Sequence, residues 1–371
     1  MGSGNLIGKT IAGCRLLSSV ARGSMGEVFK GVHEALQRPV AVKLVGVDAQ
    51  AKDAVDKLLL EARALAKIEH PNIVHVYDVG VQDGLFYIVM QFLEGRTLRE
   101  VFDEMGAMPP DEVYSIIGDV ARGLGAMHLA GLIHRDLKHE NVIVTSDGKA
   151  KIMDFGLVRD AGAKDEYQGF VVGTPPYIPP EIWLNRPADG RSDLYSLGVM
   201  LYALLTGAYP YRAKSPEEYA QLHLKSTPKN PVLVRSEVGE ELAAVTMKLL
   251  ARNRADRYPS VEDFLRDFEG CRRGTAPEAL RSTGRRVKCG FCDSVNPAKA
   301  TKCSVCGEAL GNFPKQLDLS PRGGEVACPA CGGLRERRAR ACPHCGRGIC
   351  GNCLRGVVQR DGLCSACLAI A

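Results

Sequence analysis

Two groups of residues in this 371-residue chain have the types and the spacing to do chemistry. One is sulfur. Of fourteen cysteines only Cys14 and Cys271 precede residue 289, and the other twelve form six C-x-x-C pairs: Cys289 and Cys292, Cys303 and Cys306, Cys328 and Cys331, Cys342 and Cys345, Cys350 and Cys353, Cys364 and Cys367. Two residues between cysteines let both thiolates face one ion, and four thiolates complete a tetrahedral Zn²⁺ site. The pairs assemble into three C-x2-C-x10-C-x2-C units with one common spacer, a regularity that favours three zinc ions over disulfides. Thioredoxin-like redox chemistry needs a βαβ setting, which the tail lacks. The other group is a glycine turn. "ARGSMGEV" sets Gly23 and Gly26 between two strand-like runs, where the missing side chains let backbone N–H donors approach a phosphate. Alone, such a pair is commonplace in hairpins.

The elements around these residues come in two blocks. "CRLLSSVARG", "GEVFKGVH" and "RPVAVKLVGV" are short, β-branched and Gly-bounded, as strands are. "KDAVDKLLLEARALAKIEH" carries apolar residues at helical spacing and stops at Pro71. "NIVHVYDVGVQDGLFYIVMQFLEG" reads as a hairpin turning at "QDG". After Pro110 helical patterns dominate, in "EVYSIIGDVARGLGAMHLAG", "SDLYSLGVMLYALLTG" and "GEELAAVTMKLLARN". A β-rich block thus precedes a larger helical one. Residues 271–287 and 311–326, rich in Arg, Gly, Ser and Pro without periodicity, read as linkers.

Bulk properties narrow the class. With 45% hydrophobic residues the chain has material for a core. No run approaches the ~20 apolar residues of a membrane span. The opening "MGSGNLIGKT" lacks a signal-peptide pattern, and Leu6 breaks a myristoylation motif. The reading is a cytoplasmic protein in a reducing compartment, where paired cysteines hold metal. The net charge of +5 is unevenly divided: from residue 271 onward seventeen Lys and Arg face seven Asp and Glu. A basic tail invites nucleic acid or acidic lipid. Twelve thiolates on three divalent ions would offset more than half of that excess, so part of the arginine serves to neutralise the metal sites.

The glycine turn does not stand alone. "VAVK" ends in Lys43, "LEARAL" holds Glu61, and "IHRDLKHEN", "IMDFGL", "GTPPYIPPE", "DGRSDLYSLG" and "RADRYPS" follow in order. This array resembles the protein-kinase signature set over residues 8–270, in the style of the bacterial, eukaryotic-like (Hanks-type) serine/threonine kinases. The resemblance implies an α+β fold of two lobes: a small β-rich N-lobe over about 8–93 and a large helical C-lobe over about 94–270. It implies phosphoryl transfer from ATP to protein substrates with Mg²⁺ or Mn²⁺. Val20, Ala21, Arg22, Gly23, Ser24, Met25 and Gly26 would cover the nucleotide, with Val28 and Ala41 against it. Lys43 would hold the α- and β-phosphates and pair with Glu61. Met90 would be the gatekeeper, and Gln91 and Leu93 would offer backbone groups to adenine. Asp136 would take the acceptor hydroxyl's proton, Lys138 would sit by the transferring phosphate, and Asn141 and Asp154 would chelate the metal. Thr174 would contact Asp136 and Lys138, and Glu181 would pair with Arg257. Leu65, Val76, His134 and Phe155 of the Asp154–Phe155–Gly156 motif would stack as a spine anchored by Asp193, with Arg135 before the catalytic Asp. These residue types suit phosphoryl transfer, because phosphoryl oxygens need positive charge and hard cations want carboxylate oxygens.

The sequence also departs from that family. Ala21 replaces the first loop glycine, His139 stands where proline is usual, and Pro179 stands for alanine. None of these removes a metal ligand, the base or the phosphate lysine. Between Gly156 and Gly173 there is no Ser or Thr, only Tyr167 beside Asp165 and Glu166, so the loop is expected not to be switched by Ser/Thr phosphorylation, with an acidic side chain partly standing in. The competing class is an inactive pseudokinase scaffold that recruits partners through its tail. Within the tail, residues 288–310 resemble a zinc ribbon. Residues 327–369 fit either two sequential ribbons or a cross-braced FYVE- or RING-like finger, with the same cysteine ligands either way. His344 is a bystander between two cysteines, and with only Phe291 and Phe313 as aromatics the tail suits protein docking better than nucleic acid.

Overall fold

The computed structural model describes residues 6–23, 26–46, 52–153, 159–160 and 173–281, together with six two- or three-residue strands beyond them. The chain divides into two units, Met1–Gly284 and Arg285–Ala371.

The first unit opens on six antiparallel strands: β1 (Thr10–Ile11), β2 (Cys14–Gly23), β3 (Gly26–His33), β4 (Arg38–Gly46), β5 (Val76–Gln82) and β6 (Leu85–Gln91), in the sheet order β1-β2-β3-β4-β6-β5. Alternation along β4 decides what each face carries. Val40, Val42 and Leu44 are buried with Leu16, Phe29 and Val89 on one side. Their neighbour Lys43, paired with Val28 and Ile88, therefore stands on the other, where Ile88 and Phe86 meet helix α1 (Lys52–Ala66) through Ala62 and Leu65. The β5–β6 turn is Asp83–Gly84, both at positive φ (52° and 73°), which matches the twist of a tight hairpin. Helix α1 ends at Ala66, five residues before the proline that the apolar pattern runs to. Beyond it Asn72–Val74 leave helical geometry to bond elsewhere.

Those bonds go to the helical lobe. Val74 N–H donates to Ile152 O and Ile152 N–H to Asn72 O, both at 2.9 Å, while the Asn72 amide donates to Ala150 O at 3.0 Å. The lobe itself comprises β7 (Gly95–Thr97), α2 (Leu98–Met105), α3 (Pro110–Leu129), β8 (Leu132–Ile133), β9 (Val142–Thr145), β10 (Ala150–Ile152), β11 (Arg159–Asp160), α4 (Pro180–Trp183), α5 (Gly190–Thr206), α6 (Pro216–Lys225), α7 (Pro231–Val234), α8 (Glu240–Leu249) and α9 (Val261–Arg272). Caps set several starts: Thr97 and Glu100 form a capping box on α2, and Asp189 caps α5. Helix α5 is buried for nearly its whole length, so it reads as uniformly apolar, and α3, α8 and α9 pack around it through Ile117, Leu124, Leu197, Leu201, Leu249 and Phe264. Gly123 lets α3 lie against the inter-lobe segment, since a Cβ there would meet Asn72 O at 2.8 Å.

One boundary differs from the sequence reading. The composition of residues 271–287 predicts a linker, yet α9 runs to Arg272 and a further helix, α10 (Glu278–Arg281), follows. The cause is a single carboxylate: Asp267 accepts from Glu278 N (2.7 Å) and Ala279 N (2.9 Å), tying down a segment without periodicity of its own, and Ala279 joins the lobe's core.

In the second unit three short ladders are described: Val287–Lys288 with Val295–Asn296, Glu325–Ala327 with Leu334–Glu336, and Arg340–Ala341 with Gly348–Ile349, all antiparallel. The linker over 311–326 and the ribbon and finger modules otherwise lie outside the described residues.

Candidate active site

The site grows from the first turn of α5. Asp193 is buried there and reaches back beneath the segment that follows β8. Its Oδ2 accepts from His134 N and its Oδ1 from Arg135 N, both at 2.9 Å, and His128 Nε2 lies 2.8 Å from Oδ2. Arg135 sits at φ 64°, a conformation that L residues disfavour, and the carboxylate's hold on two successive N–H groups fixes it. Burial is the largest influence on Asp193 and favours the neutral acid. The His128 hydrogen bond and charge, with the His134 N–H, outweigh it and hold the carboxyl below its usual range.

That strained turn delivers the next residues. Lys138 Nζ lies 2.6 Å from Asp136 Oδ2, and it donates to Thr174 Oγ1 at 3.0 Å. Thr174 Oγ1 in turn donates to Asp136 Oδ1 at 3.2 Å. The Asn141 amide nitrogen donates to Asp136 O (2.8 Å) and lies 3.3 Å from Oδ2, so the atom it has left for a hard cation is its carbonyl oxygen. Asp136, Lys138, Asn141 and Thr174 are thus brought together from two segments, 136–141 and 174, that the sequence separates by more than thirty residues.

On the sheet side, Lys43 is 6% exposed in the middle of β4. Glu61 lies on α1, partly buried, over the face that Lys43 shares. Met90 is buried and pairs with Ala41 and Val76, and Leu65 and Val76 share one apolar cluster. The Gln91 N–H donates to His75 O at 2.8 Å; Leu93 follows, half-buried. Val20, Ala21, Arg22 and Gly23 run exposed to the end of β2, Gly26 opens β3, and Val28 pairs with Lys43. Gly26 sits at φ 126°, where a Cβ would lie 2.2 Å from Leu44 O. No side chain therefore fits at the start of β3. Ser24, Met25, Asp154, Phe155, Gly156, residues 161–172 and all twelve tail cysteines lie outside the described residues. Among the described residues no group of three or more His, Cys, Asp or Glu side chains gathers to hold a metal.

Two further clusters brace the loop holding Thr174. Glu181 and Arg257 meet in a fully desolvated two-bond pair, Nη1 to Oε1 at 2.7 Å and Nη2 to Oε2 at 2.8 Å, with Ser192 Oγ adding a third donor at 2.8 Å. The remaining guanidinium donors reach Ala251 O, Arg191 O and Arg252 O, and the Tyr195 ring lies under the cation. The other cluster is aromatic. His139, fully buried, hydrogen-bonds the Tyr177 hydroxyl through Nδ1; that hydroxyl meets Tyr209 OH at 3.0 Å, and Arg99 donates to Tyr209 OH at 3.0 Å. Sequence reasoning missed His128, Tyr177 and Tyr209. The only available signal was His139 itself, a buried ring in a loop position where proline is usual.

The arrangement supplies a carboxylate with three donors aimed at it, the Lys138 ammonium among them, and a second buried lysine, Lys43, on the sheet. Comparison with known proteins agrees in kind. The family model described as protein kinase domain matches residues 15–267. The chain is similar to the serine/threonine-protein kinase PksC of Streptomyces coelicolor, 38% identical over 77% of this chain and 55% of that one. It is 39% identical to the serine/threonine-protein kinase PknL of Mycobacterium tuberculosis over 68% of this chain and 64% of that one. It is 36% identical to PknB of Mycolicibacterium smegmatis over 69% and 42%. The alignments thus span between 42% and 64% of the length of these three relatives.

Proposed function

Because this chain belongs to the protein kinase family, we propose that it moves the terminal phosphoryl group of ATP onto serine or threonine hydroxyls of protein substrates. The observation that carries this reading is the hold on Asp136, at whose carboxylate Lys138, Thr174 and Asn141 each aim a donor. About one lone-pair site, on Oδ1, is left over for an incoming hydroxyl, whose oxygen Asp136 orients and whose proton it takes as the bond to phosphorus forms and the bond to ADP breaks. Lys138 stands where negative charge grows on the transferring group, and Lys43 faces the phosphates that stay behind. Asn141 and Asp154 would hold Mg²⁺ or Mn²⁺, which when bound offsets charge between the phosphates. The preference for serine and threonine over tyrosine is supported by Lys138 two residues after Asp136, by "GTPPY" around Thr174, and by the relatives' names.

The test is transfer of radiolabel from ATP with Mg²⁺, to the chain itself or to an added acceptor protein, for wild type and Asp136→Asn. Label in the wild type, absent from an equally well folded variant, is the expected result. Absence of label on any acceptor for the wild type would make the chain a scaffold.

For the unit from Arg285 the finer reading is a zinc-holding module that docks proteins. Spacing supports it, and so do the ladders: Lys288–Val295, Ala327–Leu334 and Ala341–Gly348 each close around six residues, with cysteines at the first and fourth. A hairpin closed just outside a C-x-x-C pair suits two thiolates turned to one ion.

A further inference from the structure

His139 poses a physical question. Its side chain is completely buried in the loop that carries Asp136, Lys138 and Asn141, and among the described residues its Nε2 has no hydrogen-bond partner. Burying an imidazole with one nitrogen unsatisfied is unfavourable, and an apolar or proline side chain would fill the space without that penalty. The compensating contact is made by Nδ1, which meets the Tyr177 hydroxyl, and the His139 backbone N–H points at the same oxygen from 3.5 Å. Tyr177 belongs to the one-turn helix Pro175–Tyr177, and its N–H donates to Thr174 O at 2.9 Å. Thr174 carries the hydroxyl held by Lys138 and Asp136. The contacts therefore close a ring: catalytic loop to His139, His139 to Tyr177, Tyr177 to Thr174, and Thr174 back to the catalytic loop. Phe102 and Tyr209 wall the ring, with centroids 5.1 and 5.9 Å from that of His139.

We propose that His139 is a positioning residue for phosphoryl transfer, holding Tyr177 so that the Thr174 hydroxyl stays seated between Asp136 and Lys138. The inference rests on the kinase reading above, and goes beyond it by assigning the base's geometry to a residue that touches neither nucleotide nor acceptor. A proline at this position has no ring donor or acceptor and no N–H, and it would leave the Tyr177 hydroxyl with Tyr209 alone.

The experiment uses the full chain as His139→Ala, His139→Asn, Tyr177→Phe and the double variant His139→Ala/Tyr177→Phe. It measures kcat for acceptor phosphorylation per folded molecule, KM for ATP, and the melting temperature. His139→Ala and Tyr177→Phe are each expected to lower kcat about tenfold, with KM for ATP within about twofold of wild type. The double variant is expected to be no slower than the worse single one, because both break one linkage. Asparagine, which returns a hydrogen-bonding group near the Nδ1 position, is expected to recover kcat to within about threefold of wild type. An unchanged kcat in Tyr177→Phe overturns the proposal; so do multiplying losses in the double variant, failure of asparagine to recover, or activity loss that only tracks the unfolded fraction. Should His139→Ala not fold, Tyr177→Phe, which removes a single oxygen, decides the matter. A wild type that transfers nothing defeats the kinase reading, whereas an active wild type with an unaffected Tyr177→Phe defeats this inference alone.

Discussion

Gly26 is where a single side chain would do most harm. At φ 126° any L residue is strained, and a Cβ would press on Leu44 O from 2.2 Å. Gly26→Ala is expected to destabilise the chain by roughly 1–3 kcal/mol in urea titration and, on the kinase reading, to raise KM for ATP, because the backbone at the start of β3 must shift. The buried histidines give the residue scale its pH dependence. Burial lowers His139 to about 3 and His223, which lies 2.6 Å from Tyr195 OH, to about 4. Both therefore stay neutral in the folded chain while the unfolded chain takes up protons below about pH 6.5. Unfolding then binds protons, so stability is full above that value and falls as pH drops, by up to about 1.4 kcal/mol per unit for each ring. Urea midpoints measured at pH 7.5, 6 and 5 are expected to decline, and to decline less steeply in His139→Asn. A midpoint independent of pH over that range would contradict the burial of both rings.

Among elements, what could be read in advance depended on where the information lies. The strands of the sheet announce themselves because residue type alternates along them: Val40, Val42 and Leu44 enter one apolar cluster, and Lys43, also buried, stands on the other face. Lys43, Asp136, Lys138 and Asn141 were legible because each lies in a short run of fixed spacing. The His139–Tyr177–Tyr209 contacts were not, since they join residues 38 and 32 positions apart and no local pattern encodes them. Helix α10 was hidden for a related reason. Its composition is that of a linker, and it is helical because Asp267, eleven residues earlier, captures its first N–H groups. Asp267 also accepts from the buried Tyr258 hydroxyl at 2.9 Å. Asp267→Ala is accordingly expected to cost about 1–3 kcal/mol and to free the segment after Arg272. Hydrogen exchange reads this directly: the Glu278 and Ala279 amides should lose their protection while those of α5 keep theirs.

At the scale of the whole molecule, the two units rely on different physics. Met1–Gly284 is held by apolar cores that include Cys14 as an ordinary buried residue. Arg285–Ala371 holds all twelve paired cysteines and few aromatics, so metal would supply the cross-links that its short ladders need. Purified chain is expected to carry about three zinc ions by elemental analysis, one for each four thiolates, and its paired thiols should resist alkylation until a chelator is added. Six disulfides found by mass would refute the zinc assignment. The segment Asn72–Val74, stitched to β10, has a mechanical consequence for the larger unit. Together with the 92–94 crossing it fastens the sheet to the helical lobe at two places, and a body fastened at two places swings only about the line joining them. Gln91, Val40 and Gly31 lie in the row nearest that axis, while Gly26 lies five residues farther along β3, about 17 Å out. Small rotations should leave the Gln91 end of the sheet at nearly constant distance from the helical lobe and carry the Gly26 end through a far wider arc, like a jaw.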